Sequence, residues 1–176
     1  MQSKFLDGKK IYLRGIEKSD VNESYQQWFN DEEVCRFNSH HRFPKRREDM
    51  ESYYQNVICS DNNLVLAIFS KKTKEHIGNV SLQSINFFER SAEFAIIIGD
   101  KKYWGEGVGK EAGQIIIDHG FQELNLHRIY CGTSEDNIGM QKLAVHLGFQ
   151  KEGISRKAMY KNGKYRDIIH YGLLAT

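Results

Sequence analysis

The chain has 176 residues, 40% of them apolar, enough for one core in a single domain over 1–176 and too little for two. Its 25 basic and 23 acidic side chains leave a formal charge of +2, a balance that excludes nucleic acid as the expected partner. Cys35, Cys59 and Cys131 are odd in number and far apart, which excludes a disulfide framework and a C-x-x-C metal pair. No charged-then-apolar leader opens the sequence and no apolar run nears the ~20 residues that span a bilayer, so a cytoplasmic protein off the membrane is expected.

In chain order, Lys10 to Arg14 reads as a first strand, and Ser19 or Asp20 as the cap of a helix carrying Val21, Tyr25, Trp28 and Phe29. That helix stops at Asn30-Asp31. The stretch VCRFNSHHRFP is irregular, and a second helix is placed from Pro44 through Met50, Tyr53, Tyr54 and Val57. Leu64 to Phe69, Ile77 to Ile85 and Ser91 to Ile98 read as strands joined by short polar turns, hence an antiparallel meander. A helix over Val108, Ala112, Ile115, Ile116 and His119 then leads to a strand, His127 to Thr133, expected to lie parallel to Ser91 to Ile98. Met140, Leu143, Ala144 and Leu147 mark a short helix ended by Gly148. Asn162-Gly163 joins Phe149 to Tyr160 with Tyr165 to Leu174 as a hairpin.

The sequence is organised around YWGEGVGKEA, Tyr103 to Ala112. Glycines at 105, 107 and 109 running into a helix allow backbone N–H groups and the positive end of the helix dipole to meet an anion such as phosphate. Counting excludes two familiar loops. A Walker A loop would need Gly and Ser or Thr where Trp104 and Glu111 stand, and a dinucleotide fingerprint would need three residues from its second glycine to its third, where this chain has two.

WGEGVGKEA after the strand SAEFAIII resembles instead the acetyl-CoA pyrophosphate loop of the GNAT acetyltransferase superfamily, with Trp104 in place of the usual Gln or Arg. INFFERSAEFAIII with LNLHRIY is similar to the polyamine acetyltransferases of that superfamily. NIGMQKLAVHLGFQKEG with YKNGKYRDIIHYGLL is similar to its ribosomal-protein N-terminal branch. The resemblance implies an α+β fold with a mixed, mostly antiparallel sheet of about seven strands and about four helices. It also implies acetyl-CoA as cosubstrate, a small-molecule amine as acceptor and no metal, and it is compatible with a homodimer.

For the cofactor, the resemblance implies the backbone of Ile96, Ile97 and Ile98 along the pantetheine arm, the turn Trp104, Gly105, Glu106, Gly107, Val108, Gly109 and Lys110 at the pyrophosphate, and Asn137 at the start of the short helix. Ala144 stands where many members carry a tyrosine acid, so no such acid is carried over. An alkylammonium must lose a proton to react, a step that costs roughly 4 kcal/mol at neutral pH. Glu93, on one strand face with Ala95 and Ile97, is either the base, acting through water, or the partner of a structural cation. Ser134 is read as a water-holder or as a plain strand-end hydroxyl. Phe29, Asn30, His40, His41 and Arg42 are expected to frame the acceptor, the histidines alternatively lying on a mobile loop. Five cations among Arg36, Arg42, Lys45, Arg46 and Arg47 against Asp31, Glu32 and Glu33 favour an amino-sugar nucleotide over a protein N-terminus or a polyamine. A non-catalytic acyl-CoA-binding module is the rival from another class.

Overall fold

The computed structural model describes residues 3–176. Two-residue periodicity produces eight strands: β1 (Leu6–Asp7), β2 (Ile11–Gly15), β3 (Leu64–Ser70), β4 (His76–Asn86), β5 (Ser91–Ile98), β6 (Arg128–Ser134), β7 (Gln150–Lys161) and β8 (Lys164–Leu174). Helices α1 (Glu23–Asn30), α2 (Arg47–Tyr53), α3 (Val108–Gln122) and α4 (Ile138–His146) complete the chain. One sheet runs β1-β2-β3-β4-β5-β6-β8-β7. Each neighbouring pair is antiparallel except β5 with β6, which follow one another through α3 and lie parallel, as the crossover requires.

The two faces of the sheet are dressed differently. Phe94 and the partly buried Ile96 and Ile98 join Leu82, Ile116, Ile129 and Phe149 in the main core, under α3 and α4. Residues of opposite parity face the other way: Ile97 packs against Tyr25, Trp28, Phe29 and Met50 of α1 and α2. A smaller cluster of Tyr12, Val65, Ala67 and Phe69 under Val21 and Tyr54 lies on that second side. Helices therefore cover the second side over β2 to β4, and the strands beyond β5 present exposed groups there.

Four expectations change. The sheet has eight strands, because the two-residue β1 is too short to leave a periodic signal. α1 is capped by Asn22, which accepts from the Tyr25 N–H, while Asp20 sits in a short 3-10 turn and forms a buried two-point pair with Arg14 at 2.7 and 2.8 Å. The second helix begins at Arg47, three residues after Pro44, because the backbone of Lys45 is held by the side chains of Asn30 and Gln26. It passes into a wider turn at Tyr54–Ile58 instead of continuing as α-helix.

Candidate active site

β5 and β6 pair only at Ser91, Ala92 and Glu93, opposite Arg128, Ile129 and Tyr130, and then part. Past that fork β5 keeps β4 as its partner on one side and has no ladder on the other. The carbonyl of Ile97 points at Gly78 on β4, where an added Cβ would lie 2.3 Å from it. By strand alternation Ile96 and Ile98 turn their N–H and C=O groups into the gap. The indole N–H of Trp104 takes the Ile98 carbonyl at 2.8 Å. This corrects the expectation for the three isoleucines: Ile97 commits its backbone to β4 and its side chain to the α1 cluster, which leaves Ile96 and Ile98 to line the gap.

At the mouth of the gap lies the glycine turn. Gly105 and Gly107 both adopt φ of 79°, the left-handed region, and an added Cβ at either would meet open space. Gly107 is the N-cap of α3, with Glu111 N–H returning to its carbonyl at 3.1 Å. The N–H groups of Gly105, Gly107, Val108, Gly109 and Lys110 have no acceptor among the described residues. Together with the dipole of a 15-residue helix, they present the donors and the positive field that an anion requires. Gly109 is already helical, and an added Cβ there would make only ordinary contacts, 3.7 Å from Ile96 and 3.9 Å from Leu143. The Glu106 carbonyl accepts from the Lys10 ammonium at 2.8 Å, and the Glu111 carboxylate accepts the N–H groups of Lys9 and Lys10. The turn is thus tied to the β1–β2 connection.

Glu93 projects, exposed, from the second side of the sheet at the fork, between Gln83 of β4 and Tyr130 of β6. No ion pair or hydrogen bond engages its carboxylate among the described residues, so the structural-cation alternative has no partner here. Ser134 is buried and its hydroxyl accepts from the Asp136 N–H at 3.4 Å, the geometry of a strand-end hydroxyl. Asn137 is the N-cap of α4, accepting from Met140 N–H at 3.1 Å. Ala144 lies on the buried face of α4 and is wholly enclosed. Burial, with the Glu93 charge second, pushes the Cys131 thiol up to about 12, which removes it as a nucleophile.

The expected acceptor frame divides. His40 packs edge-on against Phe29 with ring centres 4.9 Å apart. Its carbonyl accepts the Lys161 ammonium, and Arg42 donates to the Tyr160 carbonyl at 2.8 Å, which closes the β7–β8 tip onto this loop. Asn30 is corrected to a structural role, since its carboxamide is committed to Lys45. His41 is exposed, with φ of 58°. Lys101 ties up both Asp31 and Glu33 at 2.9 Å, a contact with no local sequence signal.

The α+β sheet in this order is that of known N-acetyltransferases. The chain belongs to the GNAT acetyltransferase family, whose domain it matches over residues 10–150. It is 31% identical to a probable N-acetyltransferase, YjcK, of Bacillus subtilis over 92% of each chain. A spermidine N(1)-acetyltransferase of Vibrio cholerae is 33% identical over 69% of each. The crystal structure of spermidine N-acetyltransferase from Vibrio cholerae with CoA and spermine superposes with a TM-score of 0.86 at 27% identity, covering 94% of this chain and 95% of that one. A ribosomal L7/L12 alpha-N-protein acetyltransferase in complex with CoA shares the fold, with a TM-score of 0.85 at 20% identity. Among the described residues there is no group of three or more His, Cys, Asp and Glu placed to hold a metal, and no helix long and apolar enough to cross a membrane.

Proposed function

We propose that this chain transfers the acetyl group of acetyl-CoA to the primary amine of a small molecule, directly and without a covalent enzyme intermediate. The observation that carries the reading is the parted β5–β6 pair opening beside unbonded amides: an extended chain ending in a diphosphate fits both at once. When bound, acetyl-CoA supplies an acyl group activated as a thioester. The N–H groups of Gly105, Gly107, Val108, Gly109 and Lys110 hold the diphosphate, and the gap-facing backbone of Ile96 and Ile98 orients the arm. Glu93, free of any cation, takes the ammonium proton through water on the open side of the sheet. Ser134 and Asn137 shape the end of β6 and the start of α4.

The acceptor is a small amine with a single positive charge. Lys101 neutralises Asp31 and Glu33, whereas Lys161, Arg42 and Lys45 cluster around His40 and Phe29. Burial depresses the Lys161 ammonium, with Cys35 opposing the shift and Arg42 adding to it. Such an entrance repels a polycation. The relatives named for spermidine favour a polyamine as the second reading, and none of those named supports the amino-sugar nucleotide. Thiol release from acetyl-CoA, measured with monoamines, an amino sugar, a peptide amine and spermidine, tests both: monoamines should be turned over best. Bound acetyl-CoA with no thiol release from any amine would instead make the chain a non-catalytic binding module.

A further inference from the structure

His170, on β8, is absorbed by neither the cofactor gap nor the expected acceptor frame. It is paired in register with Gly132 of β6, and its ring lies over that glycine: an added Cβ there would meet Nδ1 at 3.4 Å and Cε1 at 3.6 Å. Nε2 lies 2.7 Å from the Ser155 hydroxyl on β7, the diagonal neighbour across the β7–β8 ladder. The imidazole is therefore oriented: Nε2 toward β7 and Nδ1 toward β6, the strand that borders the fork.

Register places this ring beside Glu93. Glu93 is opposite Tyr130, and Gly132 follows Tyr130 by two residues on the same side of β6. With strands ~4.8 Å apart and ~6.6 Å between alternate residues, a ring leaning over Gly132 stands within one or two waters of a carboxylate rooted at Glu93. Both side chains are exposed, on the side of the sheet that α1 and α2 leave open. The charged and titratable groups around the imidazole are Glu93 from β5, Arg128 and Tyr130 from β6, and Glu152 from β7. Arg128 and Glu152 are closed on each other over Gly172, with the Glu152 carboxyl held below its usual range by that guanidinium. Glu93 is the one carboxylate in this set without a partner.

We propose that His170, positioned by Ser155, is the proton outlet of the transfer reaction. Converting an ammonium and a thioester into an amide and a thiol releases one net proton: three N–H bonds become one, and the thiolate keeps a single proton. Glu93 receives the surplus proton through water, and a water-bridged Nδ1 accepts it as the Nε2–H donates to Ser155. The imidazolium then loses it to solvent, and Glu93 is ready for the next ammonium. An imidazole suits this step because one ring nitrogen can accept a proton while the other donates one. When Nε2 donates to the Ser155 hydroxyl, the Nδ1 lone pair is left toward the fork.

The inference rests on the amine-acetylation reading, and the test separates the two. Wild-type protein that releases no thiol with any amine defeats that reading. Turnover by wild type with an unaltered His170→Gln variant defeats only the outlet. With the best amine of the panel, His170→Gln is expected to lower kcat/KM about tenfold near pH 7 and to approach wild type near pH 9, at unchanged CoA affinity. Ser155→Ala should move the acidic limb of the profile without removing it. Because the two groups act in series, Glu93→Gln with His170→Gln should be no slower than Glu93→Gln alone. Losses that multiply, or a His170→Gln loss constant across pH, would overturn the relay and leave His170 a structural residue.

Discussion

Replacing Gly107 by valine separates holding the fold from holding the ligand. The residue has φ of 79° and ψ of 2°, a conformation that costs an L-residue about 1–2 kcal/mol, somewhat more when β-branched. No protein atom lies within 4 Å of the added Cβ, so strain is the whole structural penalty. In a domain of this size that lowers Tm by roughly 3–8 °C and leaves it folded. The two methyl groups project from the turn whose N–H groups have no protein acceptor. Preventing two charge-assisted hydrogen bonds removes about 3–6 kcal/mol of binding, roughly a hundred- to ten-thousand-fold in CoA affinity. Calorimetric titration of CoA into a variant shown by circular dichroism to be folded measures it. Gly107→Ala, smaller and somewhat less strained, should show a Tm at or slightly above that of the valine variant and a weaker loss of affinity. Folded Gly107→Val that binds CoA as wild type does would refute the anion-turn assignment.

Three further outcomes are expected. Lys101→Ala should free Asp31 and Glu33 at the entrance and lower KM for spermidine relative to a monoamine with little change in Tm; an unchanged KM ratio would place the acidic pair outside the acceptor path. His40 and His76 are held below the ordinary 6.5, in both cases chiefly by burial, so the fold prefers them neutral. Their contribution is complete above that value and is lost as pH falls toward the depressed folded values; urea midpoints should therefore drop from about pH 7.5 to about pH 5.5, less so in His40→Gln, and equal slopes would refute this origin. Ellman's reagent should react quickly with exposed Cys59 and slowly with buried Cys35 and Cys131 until denaturant is added; three equally fast thiols would contradict the packing.

What the sequence showed and what it hid differ by the range of the interactions involved. The alternation in SAEFAIII put Glu93, Ala95 and Ile97 on one side and Phe94, Ile96 and Ile98 on the other, and the structure keeps that division because strand parity is local. Asn162-Gly163 likewise forms its two-residue turn, with both residues at positive φ. Asp20 misled because a cap-forming carboxylate was drawn off by Arg14 across the first strand, and the hydrogen bond that took its place came from Asn22. The fork between β5 and β6 has no sequence mark, since it is the absence of pairing between strands separated by a whole helix. His170 was passed over for the same reason: only register brings it above Gly132.

The carboxylate of Glu111 on the N–H groups of Lys9 and Lys10 joins residues about 100 positions apart in the chain. The contact can form only where the β1–β2 connection lies beside the start of α3, so the final shape of the turn depends on the docking of the N-terminal strands. A newly made or refolding chain would thus be unable to grip a nucleotide until its N-terminal strands had docked, and occupancy of the turn becomes a gauge of completed assembly. By mass action the same ligand then shifts the balance toward the finished molecule, in proportion to the logarithm of its concentration. The tether adds to this that the turn and the N-terminal strands would be stabilised together.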